Sequence, residues 1–86
     1  MVKKEYKLLE RAYLGSKNIR FDDMVRLVQA FGFKLSRVNG SHHIFVHPRI
    51  PERINLQEVD GQAKPYQIRQ FLSLVEMYNM TIGEDV

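Results

Sequence analysis

At 86 residues, 44% apolar and 27% charged, the chain suits one soluble globular domain (1–86) with room for only a small core. Without cysteine it can have neither a disulfide framework nor a thiolate metal site, and no apolar run is long enough to span a membrane. The net charge of +3 is uneven: residues 1–47 carry nine Lys and Arg against four Asp and Glu, and residues 48–86 carry four against six. A basic N-terminal half suits contact with a polyanion, although a plain solvated surface gives the same count. The N-terminus lacks the layout of a signal peptide, so the expected location is cytoplasmic, with no membrane partner.

Residues 3–14 predict a helix rich in Leu, Ala, Lys and Glu, stopped by Gly15-Ser16, with Tyr6, Leu9 and Tyr13 on its apolar face. Lys3, Lys4 and Lys7 fit its exposed face. A second helix is expected from Phe21 to Phe31, because Met24, Leu27, Val28 and Phe31 recur at the spacing of a buried face. Asp22 and Asp23 suit its first turn and Gly32 its left-handed cap. Phe33 to Val38 reads as a strand, Asn39-Gly40 as a hairpin turn, and His42 to His47 as the return strand. Pro48 and Pro51 bound a loop, Arg53 to Gln57 is a third strand, and Glu58 to Lys64, with Asp60-Gly61 inside, is a second loop. Pro65 opens a last helix that buries Ile68, Phe71, Leu72, Val75 and Tyr78, and the tail from Thr81 frays.

The expected class is therefore α+β: a three-stranded antiparallel sheet with helices on one face. The last five elements follow the α-β-β-β-α order of the double-stranded-RNA-binding fold, with one extra helix in front. That likeness is an analogy of fold and does not carry function.

Three histidines lie within six positions: His42, His43 and His47. Strand alternation puts His43 and His47 on one face, roughly 13 Å apart at about 3.3 Å per residue, and His42 on the other. Zinc ligands must converge at about 2 Å, so no metal or other cofactor is expected. Proton transfer fits better, since an imidazole titrates near neutral pH. RNA cleavage needs a base for the 2′-hydroxyl, an acid for the departing 5′-oxygen and cations around the phosphorane, for which Lys34, Arg37 and Lys64 are candidates. Gly40 would let backbone N–H groups approach a phosphate, and the Ser41 hydroxyl can donate to one. The plain alternative is a hairpin turn followed by two tolerated histidines.

The runs Gly32-Phe33, Arg37-Val38-Asn39-Gly40-Ser41-His42-His43-Ile44-Phe45 and His47-Pro48 resemble the signature of the HicA toxin family. Ile54-Asn55-Leu56-Gln57 and Lys64-Pro65-Tyr66-Gln67-Ile68-Arg69-Gln70-Phe71-Leu72 resemble that family's third strand and closing helix. The resemblance implies a core at 19–80 and an N-terminal helical extension at 1–18. It implies a metal-independent endoribonuclease that cleaves messenger RNA, with His42 as catalytic histidine and a HicB-like antitoxin as protein partner. His43 is the runner-up: were Ile44 and Val46 to pack inward with His42, His43 would face the RNA. A non-catalytic RNA-binding module with the same fold is the alternative function.

Overall fold

A computed structural model describes residues 3–15 and 18–83. The elements run α1 (Lys3–Tyr13), α2 (Phe21–Ala30), β1 (Lys34–Asn39), β2 (His42–His47), β3 (Ile50–Val59), β4 (Gln62–Ala63) and α3 (Pro65–Met77). The sheet is antiparallel throughout, in the order β1-β2-β3-β4. The class is α+β as expected, but the sheet has four strands, not three. The fourth strand lies inside the stretch 58–64 that the sequence suggested was a loop. Asp60 and Gly61 both take positive φ, 54° and 79°, the pattern of a two-residue type I′ hairpin turn. The turn folds Gln62 and Ala63 back onto Val59 and Glu58. The segment before α2 then pairs along β4: Ala63 N–H donates to the Ile19 carbonyl, and Phe21 N–H donates to that of Gly61.

β3 is also longer than expected. Pro51 lies within it, where the β2–β3 register shifts between Phe45 and His47. Proline lacks a ladder donor and is tolerated at such an irregularity. The loop is thereby reduced to Pro48 and Arg49. The first hairpin turns one residue later than Asn39-Gly40. Asn39 pairs with His42, leaving Gly40 and Ser41 as the loop. Gly40 has φ +63° and no neighbour within 4 Å of an added Cβ, so its backbone conformation, not space, calls for glycine.

The core fills the space between one sheet face and helices α2 and α3. Met24, Leu27, Val28, Phe33, Phe45, Leu56 and Phe71 are all but inaccessible to solvent, each buried large side chain being worth about 1.5–3 kcal/mol. Phe71 meets Phe31 and Phe33 edge-on, with ring centroids 5.3 and 6.1 Å apart. Helix α2 ends in a Schellman motif, with Gly32 N–H donating to Gln29 O and Phe33 N–H to Val28 O. Helix α3 ends the same way, with Asn79 at φ 51° taking the glycine's place.

Three further expectations change. Helix α1 packs on α2 and α3 through Leu8 and Ala12, whereas Tyr6 and Tyr13 are about half exposed and Leu9 is partly buried. Gly15 ends α1 with φ +83°, while Ser16 lies outside the described residues. Tyr78 is not on the buried face of α3; its hydroxyl donates to Glu52 Oε1 at 2.6 Å, and that bond holds it above the usual phenol range. Residues Thr81 to Gly83 are tied down, with Gly83 N–H donating to the Ala30 carbonyl and Ile82 packed on the core; residues 84–86 lie outside the described residues. No helix among the described residues is long and apolar enough to cross a membrane.

Candidate functional site

The sheet has one face on the helices and one open face. On β2, Phe45 and His47 point into the core and His43 shares their side. His42, Ile44 and Val46 therefore line the open face. Register extends that face across the neighbours. His42 is flanked by Asn39 on β1 and Gln57 on β3, Ile44 by Arg37 and Asn55, and Val46 by Lys34. Ser36 is the extra residue where the β1 register shifts, which keeps Lys34 and Arg37 on the same side. By alternation Arg53 joins them. None of these positions is acidic. The ion pairs among the described residues lie elsewhere: Lys4–Asp23 links α1 to α2, and Arg20–Asp22 sits at the start of α2, where Arg20 draws the Asp22 carboxyl below its usual range against the opposing effect of burial.

His42 is half-buried, and its Nδ1 lies 3.2 Å from Asn55 Oδ1. A carboxamide oxygen can only accept, so Nδ1 carries the proton. Nε2 is then the basic nitrogen of the neutral ring. The two strands thus set both the tautomer and the orientation of His42.

The other two histidines have different surroundings. The His43 ring packs edge-on against Phe21, centroids 4.7 Å apart, and its Nδ1–H donates to the Ser41 carbonyl at 3.2 Å. The same carbonyl accepts the Glu58 N–H. His47 is buried: its Nε2–H donates to the Phe31 carbonyl at 3.1 Å, and its Nδ1 accepts the Arg49 N–H at 3.1 Å. With Phe33 5.0 Å from its ring, His47 joins the end of α2 to the β2–β3 loop. Ile44 and Val46 share the open face with His42, so the condition that favoured His43 as the residue facing RNA is not met.

Of the cationic candidates, Arg37 is one row from His42. Lys34 lies opposite Val46, four residues along β2 and so roughly 13 Å from the His42 row. Gly40 and Ser41 form the exposed turn next to His42. Lys64 is off this face, at the N-cap of α3, with its Nζ 5.8 Å from the Tyr66 ring centroid. Asn55, Gln57 and Arg53 were not singled out from sequence. The alternation in Arg53-Ile54-Asn55-Leu56-Gln57 already shows that these three share a face; only the register shows that it is the face of His42. Among the described residues no three of His, Cys, Asp and Glu converge to hold a metal ion.

A family model described as the HicA toxin of bacterial toxin–antitoxin systems matches residues 21–76, about two thirds of the chain. That span runs from the start of α2 almost to the end of α3 and contains the whole sheet. No curated protein and no solved structure gave a significant match. Because that match covers more than half of the chain, and takes in α2, the sheet and nearly all of α3, the chain belongs to the HicA family of toxins of bacterial toxin–antitoxin systems.

Proposed function

We propose that the chain is a metal-independent endoribonuclease that cleaves messenger RNA, with His42 as its general acid–base group. The observation that carries this reading is the pairing of His42 Nδ1 with Asn55 on an open face that holds Arg37, Lys34 and no acid. His42 Nε2 takes the proton of a ribose 2′-hydroxyl. The 2′-oxygen attacks the adjacent phosphorus, the bond to the 5′-oxygen breaks, and the imidazolium returns its proton to that leaving oxygen. The products are a 2′,3′-cyclic phosphate and a 5′-hydroxyl. Arg37, exposed on the same face, stabilises charge on the phosphorane. Lys34 holds a flanking phosphate and the Gly40-Ser41 turn offers N–H and O–H donors, while Lys64, off the open face, meets only RNA that continues past the β4 edge.

In this reading the core at 19–80 carries the activity, its four-stranded sheet between α2 and α3 acts as a double-stranded-RNA-binding-like platform, and the segment at 1–18 is an addition to it. A HicB-like antitoxin neutralises the toxin in the cytoplasm by covering the open face. The test is to incubate the purified protein with labelled single-stranded and duplex RNA in EDTA. Products ending in cyclic phosphate support the reading. Binding without cleavage would replace it with a non-catalytic RNA-binding module, and neither binding nor cleavage would leave the open face without an RNA role.

A further inference from the structure

We infer that Asn39 and Gln57 form a nucleobase-reading pair on either side of His42; this rests on the ribonuclease reading above. Both residues stand directly opposite His42, one on each neighbouring strand. Opposed residues on one face of an antiparallel sheet have Cβ atoms about 4.5–5.5 Å apart, so the two carboxamides bracket the imidazole within reach of the same nucleotide. Asn39 is exposed and Gln57 half-exposed, and neither carboxamide is hydrogen-bonded to another described residue. The third carboxamide of the face, Asn55, is different, because its oxygen is taken by His42.

Gln57 is anchored through its backbone. The Gln57 backbone N–H donates to Oε1 of the buried Gln67 at 2.7 Å. Asn39 is the last residue of β1 before the Gly40-Ser41 turn. Ile44, in the next row, gives the flat face of a base an apolar floor. A carboxamide presents donors and an acceptor side by side, which matches the N6/N7 edge of adenine. Unpaired bases of single-stranded RNA can splay out and be met edge-on in this way. The structure thus points to an unpaired adenine beside the scissile phosphate.

The experiment uses the full chain carrying His42→Ala, to prevent cleavage, and uridine octamers with one central A, G, C or U. Expected is roughly tenfold tighter binding of the adenine octamer, within the range for one bidentate contact. In Asn39→Ala or Gln57→Ala that preference falls below about twofold. Circular dichroism checks that each variant is folded, and either variant alone suffices. No base preference in the parent, or an unchanged preference in both variants, overturns the pair. Mapping the cuts made by the protein with His42 intact separates the two readings. Cleavage whose base preference both variants leave unaltered overturns the pair and keeps the ribonuclease. Adenine-dependent binding without any cleavage keeps the pair and overturns the ribonuclease.

Discussion

Gln67 is polar, yet 2% exposed in the first turn of α3, on its core face. Its Oε1 accepts the Gln57 backbone N–H at 2.7 Å, and its Nε2–H donates to the Tyr66 hydroxyl at 3.4 Å. The pairing with β4 begins one residue further along β3, at Glu58, so the side chain of α3 satisfies a donor that the short strand does not reach. Replacing Gln67 by Leu keeps the bulk and removes the acceptor. An orphaned, shielded N–H costs about 1–3 kcal/mol, and the second hydrogen bond, being long, adds little. The expected loss is about 2 kcal/mol, which for a domain of this size lowers Tm by roughly 10 °C. Urea unfolding followed by circular dichroism should show a lower midpoint with an unchanged slope. A Gln67→Leu protein as stable as the wild type would refute the reasoning, since leucine would then pack there without any penalty for the lost acceptor.

Asn55→Ala frees the His42 ring to rotate and change tautomer; RNA cleavage should fall roughly tenfold to hundredfold, less than most of the roughly 10²–10⁴-fold that a general acid–base group contributes, while the unfolding midpoint moves little. Single-turnover kinetics check it, and an unchanged rate removes Asn55 from the site. His47→Ala strips the Phe31 carbonyl and the Arg49 N–H of a partner and opens a void beside Phe33, so unfolding in urea should show a loss of about 2–4 kcal/mol. Arg37→Ala should lower the slope of log affinity against log salt by about one for any RNA sequence, as measured by titration at several salt concentrations.

Periodicity made most of the fold legible. Met24, Leu27, Val28 and Phe31 announce α2; Ile68, Phe71, Leu72 and Val75 announce α3, and both bury those faces. The fourth strand was harder to read, because only Gln62 and Ala63 separate the turn from the stretch leading into Pro65, too few to show an alternation. The Asp60-Gly61 pair was the available signal. On α1, the two tyrosines at helical spacing mark an apolar face of which only Leu9 packs on the core, and the closest contact lies beside it, at Leu8 and Ala12. Small Ala12 with Leu8 lets the helix sit close, and tyrosine tolerates exposure because its hydroxyl can stay wet. The histidines separate in the same physical terms. Sequence could place His42 and His43 on opposite faces but could not say which face met the helices, since that depends on Phe45 packing inward. The link from His42 to Asn55 spans thirteen positions and exists only through the β2–β3 register.

The most direct test of the central claim compares the wild type with His42→Ala on labelled messenger RNA in EDTA. The imidazole is half-exposed on the open face, so its removal should leave the unfolding curve close to that of the wild type. The account predicts cleavage by the wild type, ending in 2′,3′-cyclic phosphate, and at least a hundredfold loss in the folded variant. Full cleavage by folded His42→Ala would contradict it.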